Sequence, residues 1–150
     1  MCLYTTSPVA KIAKKDIKVY KVMRVVKSSK GEVPGIDEPV TYGVPPYFSG
    51  YIYVKGLNKP RTEGKPAKEA GFTTFRRKYY CVEEGYLHAF VDWFRAAQRV
   101  TCMKYENPED FYYDIVEMYI PAGTAYYEGD NGDIAASALY WPEEENTKNE

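Results

Sequence analysis

The sequence predicts a single α+β domain: a mostly antiparallel, twisted β-sheet with one main helix packed on a face. Three observations carry this. Several short segments alternate apolar and polar residues, one segment has helical periodicity, and the second half is joined by tight turns that suit antiparallel neighbours. Hydrophobic residues make up 45% of the 150 positions, which argues for a folded core and against disorder. This length suits one domain, expected over 1–142, followed by a polar acidic tail over 143–150.

The first strand signal is DIKVYKVMRVV at 16–26. Ile17, Val19, Met23 and Val25 share one face, with Lys21 intruding, and Tyr20, Val22 and Val26 share the other with Lys18 and Arg24. Apolar residues on both faces place this strand inside a sheet. A Pro- and Gly-rich loop follows over 28–50, then a short strand at 51–54 and a second polar connection over 56–71. Short extended pieces are expected at 72–75 and 79–82. The helix is expected over Val91–Met103, with Phe90, Phe94, Ala97 and Thr101 on the buried stripe and Asp92, Arg95, Gln98 and Arg99 facing water.

The chain is organised around 111–141. A strand carries Val116, Met118 and Ile120 on one face and Ile115, Glu117 and Tyr119 on the other. Pro121-Ala122-Gly123-Thr124 ends it in a turn, because proline cannot donate to a ladder and glycine accepts positive φ. Tyr126-Tyr127 resumes an extended path, Gly129–Asp133 turns again, and a closing strand runs from Ile134 to Trp141. Glu128, Asp130, Asn131 and Asp133 lack the alternating oxygen ligands and distal bidentate Glu of a calcium loop, and read as a solvated turn.

Charge and motifs exclude several functions. Residues 1–80 carry 16 Lys and Arg against 6 Asp and Glu, while residues 81–150 carry 4 against 15, so basic and acidic segments are expected to neutralise each other. No phosphate-binding loop and no Lys/Arg-aromatic motif of a nucleic-acid module occurs, and no apolar run of eighteen residues or signal peptide marks a membrane route. The expected location is the cytoplasm, with Cys2, Cys81 and Cys102 as reduced thiols. Their spacing, with His88 added, lacks the close pairs of a zinc site, so no metal or cofactor is expected.

The candidate site residues are few. His88, the one histidine in the chain, is a candidate acid or base. An N-terminal Cys2 exposed by loss of Met1 could act as a nucleophile. Sixteen tyrosines suit half-buried strand positions, and those around 42–53, Tyr47 and Tyr51 among them, suit a recognition face for a protein or a small nucleotide-like ligand.

Four strings, DIKVYKV at 16–22, VPPYFSGYIYVKG at 44–56, GYLHAF at 85–90 and IPAGTAYYEG at 120–129, with the opening MCLYT, resemble short uncharacterised proteins encoded by gut Bacteroidales and their phages. That group has no established activity, so the resemblance implies a setting alone, a host-cell cytoplasm, while the absent catalytic constellations, the many tyrosines and the long loops point to a binding or accessory protein. A second similarity is to the ADP-ribosyltransferase-like fold. It implies phosphate binding by Lys21 or Arg24, nucleotide contacts from Thr73 and Thr74, and a catalytic role for Glu128 in stabilising an oxocarbenium ion. The sequence lacks a Glu-x-Glu before its last strand. The leading expectation is therefore a non-enzymatic binding protein, with a transferase-like enzyme or an inactive nucleotide-binding relative as the alternative.

Overall fold

The computed structural model describes residues 3–31, 35, 37–46, 51–74, 77–82, 85–106, 113–130 and 132–143, with 72–74 and 77 described by their backbone alone. The strands are β1 (Leu3–Thr5), β2 (Lys11–Ile12), β3 (Ile17–Lys27), β4 (Thr41–Val44), β5 (Tyr53–Val54), β6 (Gly56–Asn58), β7 (Lys68–Thr74), β8 (Arg77–Val82) and β9 (Leu87–Phe90). Helix α1 (Trp93–Glu106) follows, then β10 (Asp114–Ile120), β11 (Ala125–Glu128), β12 (Asp133–Ala136) and β13 (Leu139–Trp141). The large sheet runs β2-β11-β12-β9-β3-β10-β13-β6, with β4 and β5 branching from β3, and a second sheet runs β1-β8-β7. Every pairing among the described strands is antiparallel.

β3 is the spine. Residues Ile17 to Met23 pair with Ile120 to Asp114 of β10. Tyr20 meets Phe90 of β9, and Arg24 to Lys27 pair with β4. The alternation expected for this strand sorts its side chains into two cores. Val19 and Met23, with Ile17 and Val25 beside them, join Met118, Ile120, Ile134, Leu139 and Trp141. Val22 and Tyr20 face the other way and join Ala96 and Met103 of α1, with Phe90, Val100 and Ile115. A third cluster, Leu3, Val82, Tyr127 and Ala135, ties the small sheet to the large one.

The helix starts where Asp92 Oδ1 accepts a hydrogen bond from the Arg95 amide, an N-cap that satisfies one of the orphan donors of the first turn. It presents a different stripe from the one expected. Ala96, Val100 and Met103 face the sheet, while Phe94 is 77% exposed and Thr101 also faces solvent. The physical reason is size. Small Ala96 lets the helix backbone approach β3 closely, and flexible Met103 fills the space left beyond it. Phe94 at the interface would hold the helix off.

Other boundaries move for long-range reasons. Residues 87–90 form β9, because Ile134 and Ala135 of β12 pair with Ala89 and His88. The Pro121–Thr124 turn does not fold β10 back onto β11. β10 pairs with β3 and β13, and β11 pairs with β12 and β2. The Gly129–Asp133 turn does close a hairpin, with the Gly129 amide donating to the Asp133 carbonyl at 2.8 Å. Cys81 is disulfide-bonded, whereas Cys102 is an exposed free thiol. This corrects the expectation of three reduced thiols. Cys2 lies outside the described residues.

The polar connection 59–67 is held at its ends by the Tyr51 hydroxyl on the Lys59 carbonyl and by the Ala67 amide on the Tyr127 hydroxyl, and in its middle by a close backbone approach. Gly85 has φ +78°, and a methyl group there would lie 2.3 Å from the Gly64 Cα and 2.6 Å from the Glu63 carbonyl oxygen. A Gly64 methyl would in turn meet the Tyr86 ring at 2.5 Å. Gly85→Ala combines a left-handed φ with a collision against backbone, and is expected to destabilise the fold by about 2–3 kcal/mol in urea titration. An unchanged midpoint would show that the two loops do not touch. Thiol titration of the denatured, unreduced chain is expected to find fewer than three reactive groups, and finding three would remove the bond at Cys81.

Candidate functional site

Two sites stand out, one sealed and one open. The sealed one forms around Lys21. Its place in β3 falls between Tyr20, which meets β9, and Arg24, where pairing with β4 begins. The alternation of the strand turns its side chain toward the main core, and Lys21 is only 7% exposed. Its Nζ donates to the His88 carbonyl oxygen of β9 and stands 5.1 Å from the centroid of the Tyr53 ring. Tyr53 itself meets Tyr51 edge-on, with centroids 4.7 Å apart. The structure therefore brings together three residues that the sequence singled out separately, Lys21, His88 and Tyr51, through Tyr53.

Burial sets the electrostatics here. No carboxylate pairs with Lys21 among the described residues, so desolvation of the ammonium pushes its pKa down to about 8. His88 is pushed down to about 4, first by burial and then by the charge on Lys21. Burial likewise drives the Tyr53 hydroxyl well above its ordinary value. Perturbed groups often mark active sites, but a structural cap shifts a pKa by the same physics. Lys21 caps a strand carbonyl inside the core, and its contacts are all internal.

The remaining sequence candidates do not converge on it. Glu128 lies on β11, three strands from β3, and its Oε2 is 3.0 Å from Lys11 Nζ in an exposed ion pair. Arg24 is exposed on the face opposite Lys21. Thr73 and Thr74 lie on β7 in the small sheet, paired with Lys78 and Arg77. Tyr47 lies outside the described residues, as does Asn131 of the acidic turn. In that turn Asp133 is raised by burial, opposed by the charges of Arg95 and Arg99, so helix α1 lends this carboxylate its counter-charge. No group of three or more metal-ligating side chains occurs among the described residues.

The open site is one the sequence reading missed. A cleft of about 520 Å³ is lined by Asp16, Leu57, Tyr119, Pro121, Tyr140 and Pro142. Its floor is a single cross-strand row. Lys18 pairs with Tyr119, Tyr119 with Tyr140, and Tyr140 with Leu57, across β3, β10, β13 and β6. Directly opposed side chains in an antiparallel sheet stand about 5 Å apart, so the two phenol rings are neighbours. Helix α1 covers the outer face of this sheet at Val22 and Ile115, four residues along the strands. The row containing the tyrosines lies beyond it.

Each wall has a local cause. Asn58 is buried and fixes the β5–β6 turn, its Oδ1 accepting from the Val54 amide at 2.9 Å and its Nδ2 donating to the Val54 carbonyl at 2.9 Å. Leu57 is thereby turned outward and is 52% exposed. Asp16 Oδ1 accepts from the Ala122 amide at 2.9 Å, which holds the Pro121 turn against the start of β3. Lys55 donates to the Pro142 carbonyl at 3.3 Å and lies 4.5 Å from the Trp141 ring centroid, fixing the far wall. A sequence clue existed in Pro121 and Pro142, which each follow a strand that carries a tyrosine, but their proximity depends on the β10–β13 register.

No family model, no curated protein and no solved structure matches the chain. Among the described residues no helix is long and apolar enough to cross a membrane.

The two lowered pKa values set the pH response of the fold. The unfolded chain holds the His88 proton below about 6.5 and the Lys21 proton below about 10.5, while the folded chain releases them near 4 and 8. Stability is therefore expected to rise with pH in two windows, from 4 to 6.5 and from 8 toward 10. Each full step is worth about 3 kcal/mol. Chemical denaturation across pH 7.5–9.5 should show the upper rise in the wild type and a flat line in Lys21→Met. An equal rise in both would assign it to another group.

Proposed function

We propose that this chain is a non-enzymatic recognition protein that takes an exposed segment of a partner protein into the Tyr119–Tyr140 cleft. The observation that carries the reading is the row Tyr119, Tyr140 and Leu57. Three large side chains stand side by side on the face of a sheet, walled by two prolines and left uncovered by the helix. Aromatic side chains give contact area at low entropic cost and keep a polar tip for water or hydrogen bonding, which is the composition of interface anchors.

The chemistry of the walls favours a protein segment over a nucleotide. The charged group among the described lining residues is a carboxylate, Asp16. A phosphate would meet repulsion there, and the cations beside the row are engaged, Lys18 with Glu117 and Lys55 with the Pro142 carbonyl. The titrating residues of the sealed site contribute to folding, and Glu128 is engaged with Lys11.

Selection from a displayed random-peptide library is expected to enrich clones that bind the wild-type protein and lose binding to Tyr140→Ser, with thermal unfolding of the variant checked in parallel. Clones that bind both proteins equally would place recognition elsewhere. A thermal shift with NAD or ADP-ribose, retained in Tyr140→Ser, would turn the reading toward a nucleotide site.

A further inference from the structure

The cleft has a repeat and a polarity that together select one kind of segment. Its floor is ribbed by Tyr119, Tyr140 and Leu57 on three adjacent strands. Strands lie about 4.8 Å apart, so the outer ribs are separated by about 10 Å. A polyproline II helix rises 3.1 Å per residue with three residues per turn, so residues i and i+3 project to one side about 9 Å apart. That spacing matches the outer ribs. A segment lying across the strands can seat residues i and i+3 on either side of Tyr140. An extended β-strand repeats on one face every 6–7 Å and falls out of step with the ribs.

The polarity comes from Asp16. It sits at one end of the row, where β3 begins and Ile17 pairs with Ile120, and it is held there by the Ala122 amide. Glu117 stands next along β10, bridged to Lys18 at 3.5 Å and accepting from the Tyr119 hydroxyl at 3.3 Å. The described lining thus offers one charged side chain, the Asp16 carboxylate, at one end and aromatic and aliphatic ribs along the rest. An arginine or lysine of the partner fits the first, and prolines with aliphatic neighbours fit the second.

From this register and this charge we infer that the occupant is a proline-rich segment in the polyproline II conformation, carrying a basic residue at the end that meets Asp16. The inference rests on the cleft being the recognition site and specifies what it recognises. Proline-rich segments lose little entropy on binding because they are already extended in solution. Aromatic and aliphatic ribs with proline walls need no hydrogen-bond pattern from such a ligand, which has few backbone donors to offer.

Fluorescence anisotropy with three labelled decapeptides tests it. One alternates proline with leucine and ends in arginine, the second replaces that arginine with glutamate, and the third replaces every proline with alanine. The arginine peptide is expected to bind, the glutamate peptide about fivefold or more weaker, as one exposed charge pair allows, and the alanine peptide weaker still. Asp16→Asn keeps an acceptor for Ala122 and is expected to erase the preference for arginine over glutamate. Tyr140→Phe should retain binding and Tyr140→Ser should lose it. Equal binding of the alanine peptide, or a charge preference that survives Asp16→Asn, would overturn the inference, as would no binding by any of the three. Should the displayed library meanwhile yield Tyr140-dependent clones without proline, the cleft stands as a recognition site and the polyproline II occupant falls. Should it yield none, both fall.

Discussion

The pairing of β3 with β10 is the constraint on which the other elements depend. Seven consecutive positions are in register, from Ile17 with Ile120 to Met23 with Asp114. Because the side-chain period is two, a slip of one residue would turn Met118, Ile120, Val19 and Met23 out of the main core at once. The same register fixes what lies outside. It puts Val22 opposite Ile115 as the seat for α1, and Lys18 opposite Tyr119 at the uncovered end. The helix seat and the cleft are thus two ends of one face, and moving either means breaking the core.

Lys21 shows the cost of such a spine. β9 meets β3 at Phe90 and Tyr20, and beside that pair the His88 carbonyl takes its hydrogen bond from a side chain. A lysine reaches it from the core face at the expense of desolvating an ammonium, an expense only partly offset by the carbonyl and the Tyr53 ring. An apolar residue would avoid the charge and leave a buried acceptor unmade, which costs a comparable amount. The perturbed titration of this lysine is therefore explained by architecture alone, and this weighs against reading it as a reacting group.

Much of this was legible in the sequence, and the parts that were not share a physical reason. Local patterns located β3 to within one residue at each end, marked its two apolar faces, set Lys21 apart, and placed the turn that joins β11 to β12. They failed wherever two segments distant in sequence decide the outcome. The helix was found, but its buried stripe was assigned to Phe94 because a large aromatic outweighs Ala96 in any hydrophobic pattern, whereas close packing on a sheet rewards the small residue. GYLHAF has no strong strand pattern of its own, and Leu87–Phe90 extend because β12 supplies an edge for them. The cleft depends on three registers among β3, β10, β13 and β6, none of which is encoded locally.

The charge asymmetry of the chain follows the same logic. Lys11 with Glu128 and Lys18 with Glu117 each join the basic half to the acidic half across neighbouring strands. Exposed pairs of this kind add little stability. Their effect is on which strands meet, since a shifted register would set like charges opposite one another. Lys18 is satisfied by Glu117 within the sheet, so the cation nearest the tyrosine row is already engaged and Asp16 is left as the charge that the cleft presents. An intramolecular pairing that guards the register thereby also sets the sign of the surface open to a partner.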